Sequence, residues 1–193
     1  MYKRQEFIVK FGELLKYTGS EKTVIVPKGI TRIGTGAFWS NLAIERVVLP
    51  EGVDCICGDA FVYCENLKHI NIPSSVLEMG DDPFAGCLNI KIDNQSVHFV
   101  NENGILFDAA KKFLIHYTAG RKDTEYTIPE SVTWIGKHSF YKCKNLQIVR
   151  ITKNVRFMGN NAFSDCRNIR LINDSLYFQY VNGVLYNKNA TTC

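Results

Sequence analysis

The sequence predicts a repeat solenoid of mixed α/β to mostly β content: stacked coils that share a parallel sheet and are interrupted by β-hairpin inserts. Three observations predict it. A multi-position motif recurs in five copies, most of them 23 residues apart. Each copy has too few apolar positions to close a core alone, so it must bury them against its neighbours. A second period of 79 residues relates two larger blocks, 49–107 and 128–186. Composition agrees, since 193 residues with 46% hydrophobic and 22% charged content describe a globular chain, not a disordered or collagen-like one. The net charge of +4 is too weak and scattered to imply nucleic acid. No apolar run approaches the roughly 18 residues that a membrane-spanning helix needs.

From the N-terminus, residues 1–22 read as a cap made of half a hairpin, because Leu14, Tyr17 and Gly19 echo Leu114, Tyr117 and Gly120. Residues 23–92 hold coils one to three, and 126–172 hold coils four and five. Each coil has an apolar-Pro pair (Val26-Pro27, Leu49-Pro50, Ile72-Pro73, Ile128-Pro129), replaced by Ile151-Thr152 in the fifth. Alternating apolar residues before the pair, such as Ile70 and Ile72, predict a short strand ended by Pro. A return segment on the opposite face is expected at Ile30 to Ile33, Val53 to Ile56, Val76 to Met79, Val132 to Ile135 and Val155 to Met158. Gly34, Gly80, Gly136 and Gly159 come next (Cys57 in the second copy) and are expected to allow a tight bend. A small residue or Pro then precedes Phe38, Phe61, Phe84, Phe140 and Phe163, where a brief helical turn is expected, with Phe filling the space between coils.

The unit closes on Phe61, Cys64, Asn66 and Leu67, repeated as Phe84, Cys87, Asn89 and Ile90, then at Phe140 to Leu146 and Phe163 to Ile169. The first copy departs, with Asn41 for Cys and Ala43 for Asn. Residues 93–125 read as a hairpin insert and 173–193 as a partial second one, since Asn94, Ser96, Phe99, Asn103, Gly104 and Leu106 fall on Asn173, Ser175, Phe178, Asn182, Gly183 and Leu185. Asn-Gly tolerates positive φ at both residues and so predicts a hairpin turn. These hairpins are expected to pack beside the solenoid and interrupt it, or to cover its edge. Because Cys193 falls inside the second insert, a truncated array or an unusual end cap is expected.

Little in the chain points to chemistry. Cys64, Cys87, Cys143 and Cys166 hold one repeat position and read as a row of buried free thiols. Parallel side chains about 4.8 Å apart keep Cβ atoms beyond the roughly 3.8 Å that a disulfide prefers. Cys55 and Cys57 form a lone Cys-x-Cys; with His69 they make the best metal or catalytic candidate, although the four histidines sit at different places in the units. Cys193 at the chain end could pair between molecules in an oxidising setting. No catalytic residue, metal site or cofactor is expected. The sequons at Asn94, Asn173 and Asn189 matter only in a eukaryotic secretory route.

The informative surface is the sheet face. Arg46 and Val48, His69 and Asn71, Glu125 and Thr127, and Ile148 and Arg150 flank inward strand positions and are expected to point outward as a mixed, partly basic stripe. Extended solenoid faces bind partners. Trp39, Tyr63 and Tyr141, just after the repeat Phe, are expected along one edge, exposed or packed between coils.

The unit apolar-Pro, apolar, apolar-Gly, Ala-Phe, Cys-x-Asn-Leu over residues 23–92 and 126–172 resembles the BspA-type leucine-rich repeat. The resemblance implies a right-handed leucine-rich-repeat solenoid serving protein interaction or adhesion, on the cell surface or secreted, with no catalytic residues to carry over. The compartment stays open: residues 1–11 lack a signal-peptide core, and free thiols suit a reducing compartment. The expected function is therefore non-catalytic binding of a protein partner through the sheet face. A structural spacer within a longer surface protein is the alternative, and a metal-binding or enzymatic protein the third reading.

Overall fold

The computed structural model describes residues 6–167, 169–181 and 184–188. Asn168, Asn182-Gly183 with its expected hairpin turn, the Asn189 sequon and Cys193 lie outside them. The chain opens on an antiparallel hairpin, β1 (Phe7–Lys10) and β2 (Glu13–Tyr17). Strands then alternate between two faces: β3 (Thr23–Ile25), β4 (Arg32–Ile33), β5 (Arg46–Val48), β6 (Cys55–Ile56), β7 (His69–Ile72), β8 (Glu78–Met79) and β9 (Lys91–Asn94). The odd-numbered ones pair in parallel as a front sheet, β3-β5-β7-β9. The even-numbered ones continue the hairpin as a return sheet, β1-β2-β4-β6-β8. The insert supplies β10 (Phe99–Glu102), β11 (Ile105–Asp108) and β12 (Phe113–Tyr117). The alternation resumes with β13 (Glu125–Thr127), β14 (Trp134–Ile135), β15 (Ile148–Ile151), β16 (Phe157–Met158) and β17 (Arg170–Asn173), and ends on a hairpin of β18 (Phe178–Val181) and β19 (Val184–Asn187).

Strand alternation places Val47, Ile70, Ile72, Val149 and Ile151 in the core and leaves their neighbours on the front face. The repeat Phe residues stack through the interior, with ring centroids 4.8 Å apart for Phe38–Phe61 and for Phe140–Phe163. Tyr17 and Tyr117 extend these two stacks at 5.5 Å and 4.9 Å. The thiols of Cys64, Cys87 and Cys166 donate to the Phe38, Phe61 and Phe140 carbonyls at 3.0, 3.2 and 2.9 Å. The row thus also satisfies polar backbone at the bend.

Three expectations need correction. No helical turn forms at the small-Phe pair. The Phe38, Phe61 and Phe140 N–H groups donate to Ala60, Pro83 and Ala162 in the next coil at 2.8, 2.8 and 2.9 Å, so they are not available to a helix. Each bend also holds two left-handed residues four apart, such as Asp59 and Tyr63 or His138 and Lys142, which a right-handed helix excludes. The recurring glycines do not serve a left-handed bend either. Gly34, Gly80, Gly136 and Gly159 have no positive φ; instead a methyl group on Gly80 or Gly159 would lie 2.3 Å from the backbone nitrogen of Gly58 or Lys137 in the preceding coil. Close approach of coils is what requires them.

The third correction concerns the insert, which does not pack beside the solenoid. β12 pairs in parallel with β14, making the insert part of the second return sheet, β10-β11-β12-β14-β16. β11 and β12 stand as a wall between two cores. Leu106 and Ile115 pack into the first, and Ile105, Phe107, Leu114 and Tyr117 into the second. The front sheet breaks here, into β3-β5-β7-β9 and β13-β15-β17. On the turn edge, by contrast, the blocks touch directly: Asp82 meets His138 at 2.7 Å, Asp59 meets Lys137 at 3.3 Å and Glu65 meets Lys142 at 2.8 Å.

Candidate functional site

Parallel pairing with a 23-residue period sets equivalent residues of neighbouring coils side by side. On the first front sheet Thr23, Arg46, His69 and Lys91 form one such row. Among the described residues Arg46, His69 and Lys91 make no ion pair or side-chain hydrogen bond there. Their spacing follows that of adjacent strands, about 4.8 Å. At the strand starts, Glu45 bridges Lys22 and Lys68 at 2.9 and 2.8 Å, and these two ammonium groups hold its carboxyl down to about 2. Above the row lies a concavity of 590 Å³, bordered by Val48, Asn71 and Asp93.

Val48 and Asn71 also lie on this face, but Asn71 is committed to the backbone. Its amide accepts from the Leu49 N–H and donates to the Leu49 carbonyl, both at 2.8 Å. It replaces a ladder bond where the strand meets Pro50, which gives it a structural role beside any contact role. Glu125, Thr127, Ile148 and Arg150 lie on the second sheet, where Glu125 neighbours Ile148 and Thr127 neighbours Arg150. Arg150 pairs with Asp174 at 2.7 Å. The eight expected residues therefore occupy two separate sheets, four on each.

Sequence reading missed Lys91, Asp93 and Arg170. Register explains it: His69 pairs with Lys91 and Ile148 with Arg170, each 22 residues on rather than 23. One residue is lost between Ile90 and Ile92 relative to Leu67 and Ile70. A search for the apolar pair with that gap could have found β9 and β17.

The alternative chemistry does not assemble. Cys55 and Cys57 are buried on the return side with sulfurs 4.0 Å apart, and burial pushes the Cys55 thiol up to about 11. His69 is on the front sheet. Among the described residues no three His, Cys, Asp or Glu side chains are placed to hold a metal ion. The Asn94 amide donates to the Ser96 and Phe99 carbonyls at 3.0 and 2.8 Å, and Asn173 makes the same bonds. Both sequon side chains therefore hold the turn into their hairpins. A groove of 790 Å³ beside the N-terminal hairpin is lined by Phe7, Val9, Pro27 and Ile30, with Lys28 the one charged lining residue among those described. No helix among the described residues is long and apolar enough to cross a membrane.

The profile of the BspA type leucine-rich repeat region matches residues 13–102 and 119–189 in six copies. Among solved structures, a leucine rich cell surface protein from Faecalibacterium prausnitzii shares 29% identity at a TM-score of 0.73, over 80% of this chain and 41% of that one. The pneumococcal vaccine antigen PcpA shares 24% identity at a TM-score of 0.72, over 80% of this chain and 40% of its own. The leucine-rich repeat protein of T. pallidum aligns over 90% of this chain and 81% of its own, at 22% identity and a TM-score of 0.56. The chain spans about two fifths of the first two relatives. No curated protein matches it.

Proposed function

Because the chain belongs to the BspA-type leucine-rich repeat family, we propose that it is a non-catalytic binding module that engages a protein partner through the first front sheet, in the setting of a surface protein. One observation carries this reading: the in-register row of Arg46, His69 and Lys91, which has no side-chain partner among the described residues and borders the 590 Å³ concavity. Arg46 and Lys91, set on either side of His69 and free of ion pairs among the described residues, favour an acidic partner surface, and such complementarity sets encounter rate and specificity more than raw affinity. The second sheet offers less, since Arg150 already has Asp174. Cell-surface display is part of the proposal and rests on likeness to the F. prausnitzii protein, which is described as a cell surface protein.

The test is a quantitative pull-down from surface-labelled cells, comparing the parent chain with the Arg46→Ala, His69→Ala, Lys91→Ala triple variant. Proteins captured by the parent should be lost from the triple variant and kept by Arg150→Ala. Identical capture by all three, or none, removes the binding face and leaves the spacer reading.

A further inference from the structure

On the turn edge, away from the front sheets, four consecutive bends line one cavity of 390 Å³. Coil one contributes Thr35 and Trp39, coil two Asp59 and Tyr63, coil three Asp82, and coil four Lys137 and His138. The volume falls within the range of small-molecule sites. Trp39 leaves 66% of its surface open at the rim. Tyr63 lies across Gly86, where an added methyl would meet its ring at 2.8 Å, and reaches Tyr141 with ring centroids 5.7 Å apart. The cavity therefore has aromatic surface on coils one and two.

The polar lining is balanced. The Lys137 ammonium meets Asp59 Oδ1 at 3.3 Å, and both side chains stay partly exposed. Asp82 Oδ2 meets His138 Nδ1 at 2.7 Å, with the carboxyl almost wholly buried. Burial and the Asp59 carboxylate push Asp82 up to about 8, and burial and Lys137 push His138 down. A cationic ligand would have to compete with Lys137, and an anionic one would face Asp59. A neutral ligand with several hydroxyls could accept from the ammonium and the Thr35 hydroxyl while donating to Asp59, and could lay a C–H face on the indole.

We infer that this turn-edge cavity is a carbohydrate site, taking a neutral oligosaccharide whose ring stacks on Trp39 and whose hydroxyls bridge the Asp59–Lys137 pair. Four bends at the spacing of adjacent strands extend about 14 Å, which suits an oligosaccharide better than a single ring. The site is independent of the protein-binding face.

Saturation-transfer NMR on the intact chain tests it, with maltotriose, lactose and diacetylchitobiose as neutral probes and digalacturonate and tetramethylammonium as charged ones. At least one neutral probe should receive saturation at about millimolar concentration, and Trp39→Ala and Asp59→Asn should each weaken it about tenfold or more. Asp59 has a φ of 57°, which Asn also adopts, so this variant keeps the bend. The Arg46→Ala, His69→Ala, Lys91→Ala variant should bind the sugar unchanged, which separates this site from the front sheet. No transfer to any neutral probe overturns the inference, as does tighter binding of either charged probe or binding that survives Trp39→Ala.

Discussion

The N-terminal hairpin and the wall of the insert are the same structure in two settings. In both, a tyrosine ends the second strand and pairs with the start of the first: Tyr17 with Phe7, and Tyr117 with Ile105. Both shift register one residue later, between Ile8 and Val9 and between Leu106 and Phe107. Yet Ile8 and Leu15 are 48% and 41% exposed, whereas Leu106 and Ile115 are buried. Lys16 faces solvent where His116, in the corresponding place, is buried against the Phe84 ring. Backbone pairing is thus indifferent to whether one or two cores are present. The side chains on the second face record that difference.

Exchanging the two settings at one position should give the largest effect. His116→Lys places an ammonium where it cannot be solvated, at a cost of several kcal/mol, and should abolish cooperative unfolding in urea. Lys16→His should leave the urea midpoint unchanged. Truncation comes next. Leu106→Ala opens a cavity in the wall and should cost about 2–5 kcal/mol, against less than about 1 kcal/mol for Ile8→Ala, both measured by equilibrium denaturation.

Acid should separate the hairpins as well. Burial holds His116 down to about 4 from an ordinary 6.5. Between those values the unfolded chain binds a proton that the folded chain refuses, so this term destabilises as pH falls from about 6.5 to about 4, by about 3 kcal/mol at most. His116→Leu should remove that part of the pH dependence of the urea midpoint. Asp82 works in the opposite sense: its raised value adds stability at low pH that is lost as pH rises toward about 8. Asp82→Asn should therefore reveal the histidine term more steeply.

The smallest effect lies in a turn. Phe11 holds a φ of 50° before Gly12, and Asn103 holds 52° before Gly104. Phe11 is 95% exposed, so its ring makes little packing contact to offset the strained backbone. Phe11→Asn would install the Asn-Gly pair that such turns prefer and should raise stability by about 1 kcal/mol, read as a shift in melting temperature.

The repeat made much of the fold legible because each inward position recurs at fixed spacing. Val47 and Ile70, or Phe38 and Phe61, could be placed in a shared core from periodicity alone. What escaped depends on chain contacts that spacing does not encode. Wall and cap share a pattern, so only the second face of β11 and β12 distinguishes them. Lys91 and Arg170 were hidden by a single missing residue. The eight outward residues were identifiable as outward, but not their division between two sheets, because the break follows from where β12 docks. Asp59, Asp82, Lys137 and His138 come from bends far apart in the chain, with Asp59 and Lys137 78 residues apart, and each alone is an ordinary turn residue.

The direct contact of Asp82 with His138 also bears on the direction in which the stack grows. On the turn edge coils three and four are neighbours, while in the interior the strands of the insert stand between them. A course thicker on one side than the other behaves like a wedge-shaped brick and tilts whatever is laid upon it. With one wedge in each 79-residue period, a longer array of this design would form an arch with the turn edge along its inner curve. Its radius would be set by the number of plain coils between inserts.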